Sequence, residues 1–278
     1  MSYLALTGDA LHGGREELAT ALAAAEVGVG THGGSEDHTA ILCCQADHWS
    51  QFRFCPLRQE ALVPAPRDMR LVLGVSGVAA AKTGAAREAY NQVSAVAREI
   101  VGRWNAATGR GDPHLASALA SSPGARPRLE EILRSAPLLS ARLAQFCNET
   151  EVWIPAAVAA VAHADWPALG AAVDASQAAA DLALGNQTPE TRFLAASARS
   201  LGAVAASSFG AGFGGSVWAL VPSAEAAAFR SAWQAAYHRR FAQHRAASLF
   251  LESAAASPAC VLPQESLRDL ALEGLESA

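Results

Sequence analysis

The densest glycine cluster in the sequence is GAGFGG at positions 210–215, and its spacing suits a loop that approaches phosphate. Gly210, Gly212 and Gly215 match the pattern G-x-G-x-x-G, in which bare backbone lets N–H groups contact an anion. A dinucleotide site requires such a loop to open a helix, whereas the apolar run Val217–Val221 that follows here predicts a strand. Two interpretations stay open: a hairpin in which two backbones pack closely, and a loop whose amides bind a phosphate.

Thiols and an imidazole lie close together in the sequence at Cys43, Cys44, His48 and Cys55. Zinc sites combine these residue types, but the spacing contains no paired C-x₂-C knuckle, and adjacent cysteines point apart in regular structure. We therefore interpret these cysteines as small buried residues rather than as metal ligands.

The composition is that of a folded protein of 278 residues, with 51% hydrophobic and 17% charged residues. This balance excludes a disordered or fibrous chain, and the net charge of −5 gives no electrostatic support for binding nucleic acid. No apolar run reaches the roughly 18 residues of a spanning helix, so no membrane partner is expected. The N-terminus lacks the features of a signal peptide and the five cysteines are an odd number, which together predict reduced thiols and a cytoplasmic location.

Strand and helix patterns alternate along the chain, which predicts an α+β fold. A helix is predicted at Arg15–Ala25, followed by a glycine-punctuated loop at 28–38. Two extended segments precede residue 66, and the apolar run Arg70–Val75 predicts a buried strand. Further helices are predicted at 84–104, 138–161 (with a kink at Pro155), 167–183, 191–201 and 224–246, and SLFLES (248–253) predicts a last strand.

Segments in series along the chain resemble the galactokinase branch of the GHMP kinase family. GAGFGGSVWALV is similar to the third motif of these enzymes, and GTHGGSEDH (30–38) to their segment ending in Gly-x-Met-Asp-Gln. The segments at 74–91, 187–203 and 248–262 resemble other parts of the family in the same order. The resemblance implies the GHMP kinase fold, with a truncated N-terminal domain like ribosomal protein S5 and a ferredoxin-like C-terminal domain with extra helices. We expect these domains at residues 1–66 and 67–278.

The resemblance also implies a reaction, the transfer of the γ-phosphoryl group of ATP to the anomeric (C1) hydroxyl of galactose or a related sugar. Asp37 matches the catalytic aspartate, which would take the proton of that hydroxyl, and Glu26 matches, with a one-residue shift, the glutamate that binds Mg²⁺. Tyr90 and Gly34 match positions that contact the sugar. The positions near the β- and γ-phosphates are Gly210, Ala211, Gly212, Gly214 and Gly215.

Each of these side chains has a purely structural alternative. The aspartate is also what a solvated first turn of a helix favours, the glutamate is a common exposed residue at a helix end, and the tyrosine has the spacing of a core-facing residue. Two neighbours depart from the family: Glu36 stands where it has Met, and His38 where it has Gln. Since adjacent carboxyl groups repel, we expect one of the pair Glu36 and Asp37 to have a raised pKa.

Two further motifs of the family are not found in the sequence: Gly-Arg-x-Asn-x-x-Gly-Glu-His-x-Asp, and the phosphate loop Gly-Leu-Ser-Ser-Ser. Because phosphoryl transfer depends on positioning and charge stabilisation, we expect negligible kinase activity from this chain alone and a tendency to associate. The chain would then be a fragment or a late-start product of a sugar kinase gene. The alternative is a non-catalytic sugar-binding or regulatory homologue. In both cases the expected ligands are a small sugar, ATP and Mg²⁺.

Overall fold

A computed structural model describes residues 14–28, 34–79, 84–210 and 212–260, apart from the side chains of residues 27, 84–87 and 90. The strands are β1 (His48–Arg53), β2 (Arg58–Pro64), β3 (Met69–Val75), β4 (Ala205–Ser208), β5 (Ser216–Pro222) and β6 (Leu249–Ser253). The helices are α1 (Arg15–Val27), α2 (Glu36–Cys43), α3 (Gly84–Thr108), α4 (Leu115–Ala120), α5 (Ala125–Ile132), α6 (Pro137–Asn148), α7 (Ile154–Ala162), α8 (Trp166–Leu184), α9 (Pro189–Ser200) and α10 (Ala226–Arg240).

The main sheet is antiparallel throughout, with the strand order β4-β5-β3-β6. Helices α3–α9 connect β3 to β4, the glycine loop connects β4 to β5, and α10 connects β5 to β6. This is the β-α-β-β-α-β order of a ferredoxin-like domain, enlarged by helices at its first crossover. Strands β1 and β2 form a separate antiparallel hairpin. The predicted α+β class is confirmed.

One face of the sheet packs on α9 and α10 around Trp233 and Tyr237, both of which are fully buried. Gly74 in β3 makes this packing fit, because a Cβ there would lie 2.9 Å from the Trp233 ring. The opposite face packs on α7, α8 and the β1–β2 hairpin, with Leu220 and Met69 at its centre. A third apolar cluster, centred on Leu129, joins α3–α6 beside the sheet. The sheet therefore lies between two packed layers, and two of its strands carry the glycine loop.

Most predicted elements are found within a few residues of their predicted bounds, but two helices differ. The segment predicted as one helix at 138–161 contains a π-helical turn at Glu149–Trp153, which begins before Pro155. The helix predicted to reach residue 246 ends at Arg240, because Phe241 leaves helical geometry and packs into the core. Within the described ranges, no helix is long and apolar enough to cross a membrane.

The prediction that the cysteines are buried is wrong for the cluster near the hairpin. Cys43 and Cys44 are half-buried and Cys55 is exposed, while Cys147 is buried in the helical cluster. Cys55 lies in the turn between β1 and β2, so the strands that flank it do not cover it. Among the described residues, no group of three or more His, Cys, Asp or Glu side chains is placed to hold a metal ion.

Candidate functional site

The glycine loop has a backbone that ordinary residues rarely adopt. Gly210, Gly212, Gly214 and Gly215 all have positive φ, between 73° and 130°. At Gly212 the packing is as restrictive as the torsion, since a Cβ there would lie 2.4 Å from the main-chain oxygen of Asn186. The sequence left open a closely packed hairpin and an anion-binding loop. This close approach shows that the hairpin is closely packed, and it leaves phosphate binding by the loop as a prediction.

Two amides of the loop are already used inside the protein. The N–H of Phe213 donates to the main-chain oxygen of Asn186 at 2.5 Å, and the N–H of Gly215 donates to that of Val78 at 2.9 Å. An anion at the loop would therefore find at most the amides of Gly210, Gly212 and Gly214, together with that of Ala211, which lies outside the described residues. The predicted phosphate contacts at Gly210, Ala211, Gly212, Gly214 and Gly215 stay a prediction, in which the N–H of Gly215 is already occupied by Val78.

Ser76, just after β3, ties the far end of the loop to the core. Its N–H and its hydroxyl both donate to the carbonyl of Gly215, at 2.9 Å and 2.7 Å. Its own carbonyl accepts from the buried hydroxyl of Tyr237 at 2.6 Å. Burial raises the pKa of that tyrosine, so its hydroxyl stays protonated and remains a donor. The sequence signal was the Ser-Gly pair that ends β3, but its partner 161 residues away was not predictable.

Gln177 in α8 ties the near end of the loop. Its side-chain oxygen accepts from the hydroxyl of Ser207 at 2.8 Å, and from the N–H and hydroxyl of Ser208 at 2.9 Å and 3.1 Å. The last residues of β4 therefore enter the loop in a fixed direction. Gln177 and Asn186 are two residues of the site that were not predicted from the sequence. For Asn186 the available sequence signal was the polar pair that it forms with Gln187 directly before a helix start. In the structure both residues are buried, at 7% exposure, and buried polar groups need hydrogen-bond partners.

Asp37 lies in the first turn of α2 and is exposed to solvent. A helix N-terminus favours the ionised carboxylate there, because unpaired N–H groups give it a partial positive charge. Its neighbour Glu36 is also exposed as a residue, but its pKa is raised, first by partial desolvation of the carboxyl group and second by the charge of Asp37. The raised pKa that we expect for one of this pair is thus found for Glu36, and repulsion between the two carboxylates is the smaller of its two causes.

The helix start and the glycine loop share a cavity of about 300 Å³. Glu36 lines it together with Ser207, Ser208 and Gly210 from the end of β4, and with Glu149 from the π-helical turn. The Glu149 carboxylate accepts from the Ser176 hydroxyl at 2.8 Å and 2.9 Å, and burial raises its pKa. The fold therefore brings the segment of Asp37 and the beginning of the glycine loop to one space.

Glu26, near the end of α1, faces the same segment from the other side. Its carboxylate lies 3.7 Å from Nε2 of His38, and the Nδ1 atom of His38 is buried without a hydrogen-bond partner among the described residues. A partly exposed carboxylate suits Mg²⁺, which proteins usually hold with one or two carboxylates plus substrate phosphates. The donor chemistry at Glu26 therefore fits the ion.

The two predicted sugar-contacting positions are less defined. Gly34 precedes α2 and is exposed, and no described residue lies within 4 Å of where a Cβ would project. Tyr90 lies in the second turn of α3, and its side chain is outside the described residues. Neither position is brought into a defined contact with Asp37 by the described residues.

Comparisons with known proteins agree with the sequence resemblance. Residues 157–239 match the family described as GHMP kinases C terminal. The fold is similar to the crystal structure of Lactococcus lactis galactokinase complexed with galactose, at a TM-score of 0.74 and 23% identity, covering 91% of this chain and 62% of that one. L. major mevalonate kinase in complex with R-mevalonate aligns at a TM-score of 0.49 and 13% identity over 90% of this chain and 60% of its own. A search of curated protein sequences found no match.

Proposed function

We propose that this chain, which has the GHMP kinase fold and matches the family's C-terminal model at residues 157–239, is part of an ATP-dependent sugar kinase of galactokinase type. The reaction would transfer the γ-phosphoryl group of ATP to the anomeric hydroxyl of galactose or a related sugar. The observation that carries the proposal is the cavity that joins Glu36, the neighbour of Asp37, to Gly210 of the glycine loop. A kinase must bring its base and its phosphate-binding backbone to one space.

In the proposed reaction Asp37 accepts the proton of the C1 hydroxyl as the sugar oxygen bonds to the γ-phosphorus and the bond to the ADP oxygen breaks. An exposed carboxylate suits this role, since it can accept a proton and is open to a substrate. The glycine loop would direct its remaining amides at the phosphates, where fixed donors stabilise developing charge. The anchors from Gln177 and Ser76 support this role by holding both ends of the loop.

Glu26 would hold Mg²⁺ together with the phosphates of ATP, and that ion would neutralise phosphate charge. The imidazole of His38, 3.7 Å from Glu26, would orient the carboxylate when the ion is bound. Gly34 and Tyr90 would contact the sugar. The chain spans 62% of the length of the galactokinase that it resembles, so the sugar, ATP, Mg²⁺ and the domain limits at 1–66 and 67–278 are all parts of this proposal.

The test uses the 278-residue chain and two readouts, calorimetric binding of galactose with Mg²⁺ and a non-hydrolysable ATP analogue, and galactose-dependent release of ADP from ATP. We expect galactose binding to weaken roughly 10- to 100-fold in Asp37→Asn, because a hydrogen bond to a charged group contributes about 1.5–3 kcal/mol. Asp47→Asn is the matched control, since Asp47 is exposed in a turn whose φ of 57° also suits Asn. It should bind galactose as the unchanged chain does.

We expect ADP release to be negligible, because the sequence contains no Gly-Leu-Ser-Ser-Ser phosphate loop. Release that requires galactose and is abolished by Asp37→Asn would establish the kinase directly. Galactose binding that is insensitive to Asp37→Asn would favour the non-catalytic sugar-binding homologue. If neither galactose nor the ATP analogue binds, and arabinose in place of galactose does no better, the proposal is wrong.

A further inference from the structure

A second cavity, of about 260 Å³, lies on the helical side of the glycine loop. Val93 and Val96 of α3, Leu138 of α6 and Leu184 of α8 line it, and Phe213 of the loop closes one wall. Among the described residues that line it, the polar ones are Gln92 of α3 and Arg142 of α6. The described lining is therefore mostly apolar, with one positively charged side chain.

Most hydrogen-bonding capacity of Arg142 is unused within the described residues. One terminal nitrogen, Nη1, donates to the side-chain oxygen of Gln145, and Nε is buried without a partner. A guanidinium has five N–H donors, and none of those of Arg142 reaches a carboxylate in the described part of the chain. A half-buried arginine in this state is costly unless an acceptor joins it.

The surroundings of Arg142 compensate its charge only in part. The guanidinium lies 5.8 Å from the centre of the Phe146 ring, a weak cation–π contact. Burial lowers the pKa of Arg142, and the charge of Glu149, at the start of the π-helical turn, opposes that effect. The Glu149 carboxylate already accepts a hydrogen bond from the hydroxyl of Ser176. Arg142 therefore stays cationic and attracts an anion from solution.

We propose that this cavity binds a small monocarboxylate with an apolar body, whose carboxylate is held by the terminal nitrogens of Arg142. A carboxylate matches the planar fork of a guanidinium and brings one negative charge, which one arginine neutralises. A phosphate dianion would leave charge uncompensated against apolar walls. The body of the ligand would pack on the valine and leucine side chains and on Phe213, so the occupant would contact the glycine loop directly. This site does not depend on kinase activity.

The test measures binding of benzoate to the 278-residue chain by ligand-observed NMR and by calorimetry. Benzamide serves as the neutral isostere, and inorganic phosphate as the competing anion. We expect saturable benzoate binding in the millimolar range, and binding of benzamide and phosphate that is roughly tenfold weaker or more. Arg142→Gln should weaken benzoate binding to a similar degree. Arg134→Gln removes the same charge from an exposed residue paired with Glu131 and should leave binding unchanged.

A second variant keeps the test independent of how Arg142→Gln folds. Ala183 lines the cavity, so Ala183→Phe fills it while Arg142 stays in place, and benzoate binding should again be lost. The proposal is overturned by equal binding of benzoate and benzamide, by benzoate binding that survives either substitution, or by stronger binding of phosphate. It is also overturned if benzoate does not bind up to about 50 mM.

Discussion

Replacing Gly212 with Ala tests whether the close packing of the glycine loop stabilises the protein. The added Cβ would lie 2.4 Å from the main-chain oxygen of Asn186 and within 2.8 Å of two atoms of its side chain. The residue would also have to adopt a φ of 82°, which costs a non-glycine residue energy regardless of space. Both effects act at the point where the loop is held to the α8–α9 connection.

The magnitude follows from these two contributions. A left-handed backbone costs a residue with a Cβ about 1–2 kcal/mol, and forcing an atom into a packed site costs about 1–3 kcal/mol. Gly212→Ala should therefore lower the free energy of unfolding by roughly 2–5 kcal/mol, which in a chain of this size lowers Tm by roughly 3–9 °C. Gly210→Ala is the matched control, because Gly210 has a φ of 73° with nothing within 4 Å of its Cβ position. It should lose only the backbone contribution, about 1–2 kcal/mol.

Urea denaturation followed by tryptophan fluorescence measures both variants. Hydrogen exchange of the Phe213 amide gives a local readout, since that N–H donates to Asn186 and should exchange faster in Gly212→Ala than in Gly210→Ala. Equal destabilisation by the two substitutions, with equal exchange at Phe213, would refute the reasoning. The contact with Asn186 would then contribute nothing beyond the torsion of the glycine.

Three further substitutions test the anchors of the loop and the charge beside it. Tyr237→Phe removes the hydroxyl that donates to the Ser76 carbonyl and should lower the free energy of unfolding by about 1–3 kcal/mol, as measured by urea denaturation. A decrease below about 0.5 kcal/mol would show that the carbonyl finds another donor. Gln177→Leu removes the acceptor shared by the last two serines of β4 and should also lower the free energy of unfolding by about 1–3 kcal/mol. The control Gln243→Leu, at an exposed position, should change the free energy of unfolding by less than about 0.5 kcal/mol, both read from thermal denaturation. Glu36 binds its proton more readily in the folded state than in the unfolded one, so stability falls as pH rises above the unfolded pKa. Glu36→Gln should therefore melt at a higher temperature than the unchanged chain at pH 7, with the difference vanishing below about pH 4; a constant difference across this range would exclude the ionisation of Glu36 as its cause.

Local patterns in the sequence were sufficient to predict most elements. The apolar run ending at Ser76-Gly77 and the run after GAGFGG became β3 and β5, because continuous apolar residues bounded by glycine and proline favour buried strands. The glycine loop was predictable as a close-packed hairpin or an anion loop, since glycine spacing determines which backbone torsions are accessible. The resemblance to GHMP kinases also rested on these short runs in order along the chain.

Contacts between distant residues were decided only by the tertiary structure. The N–H groups of Phe213 and Gly215 donate to the carbonyls of Asn186 and Val78. These hydrogen bonds depend on how α8, α9 and β3 pack around the loop, which no local pattern encodes. The same is true of the lone positive charge that Arg142 places in an apolar cavity, and of the exposed Cys55. Sequence by itself determined which segments are strands, helices and glycine turns, because those depend on neighbours within a few residues. Which polar groups remain available for a ligand was settled by tertiary packing, because burial and pairing depend on residues far apart in the chain.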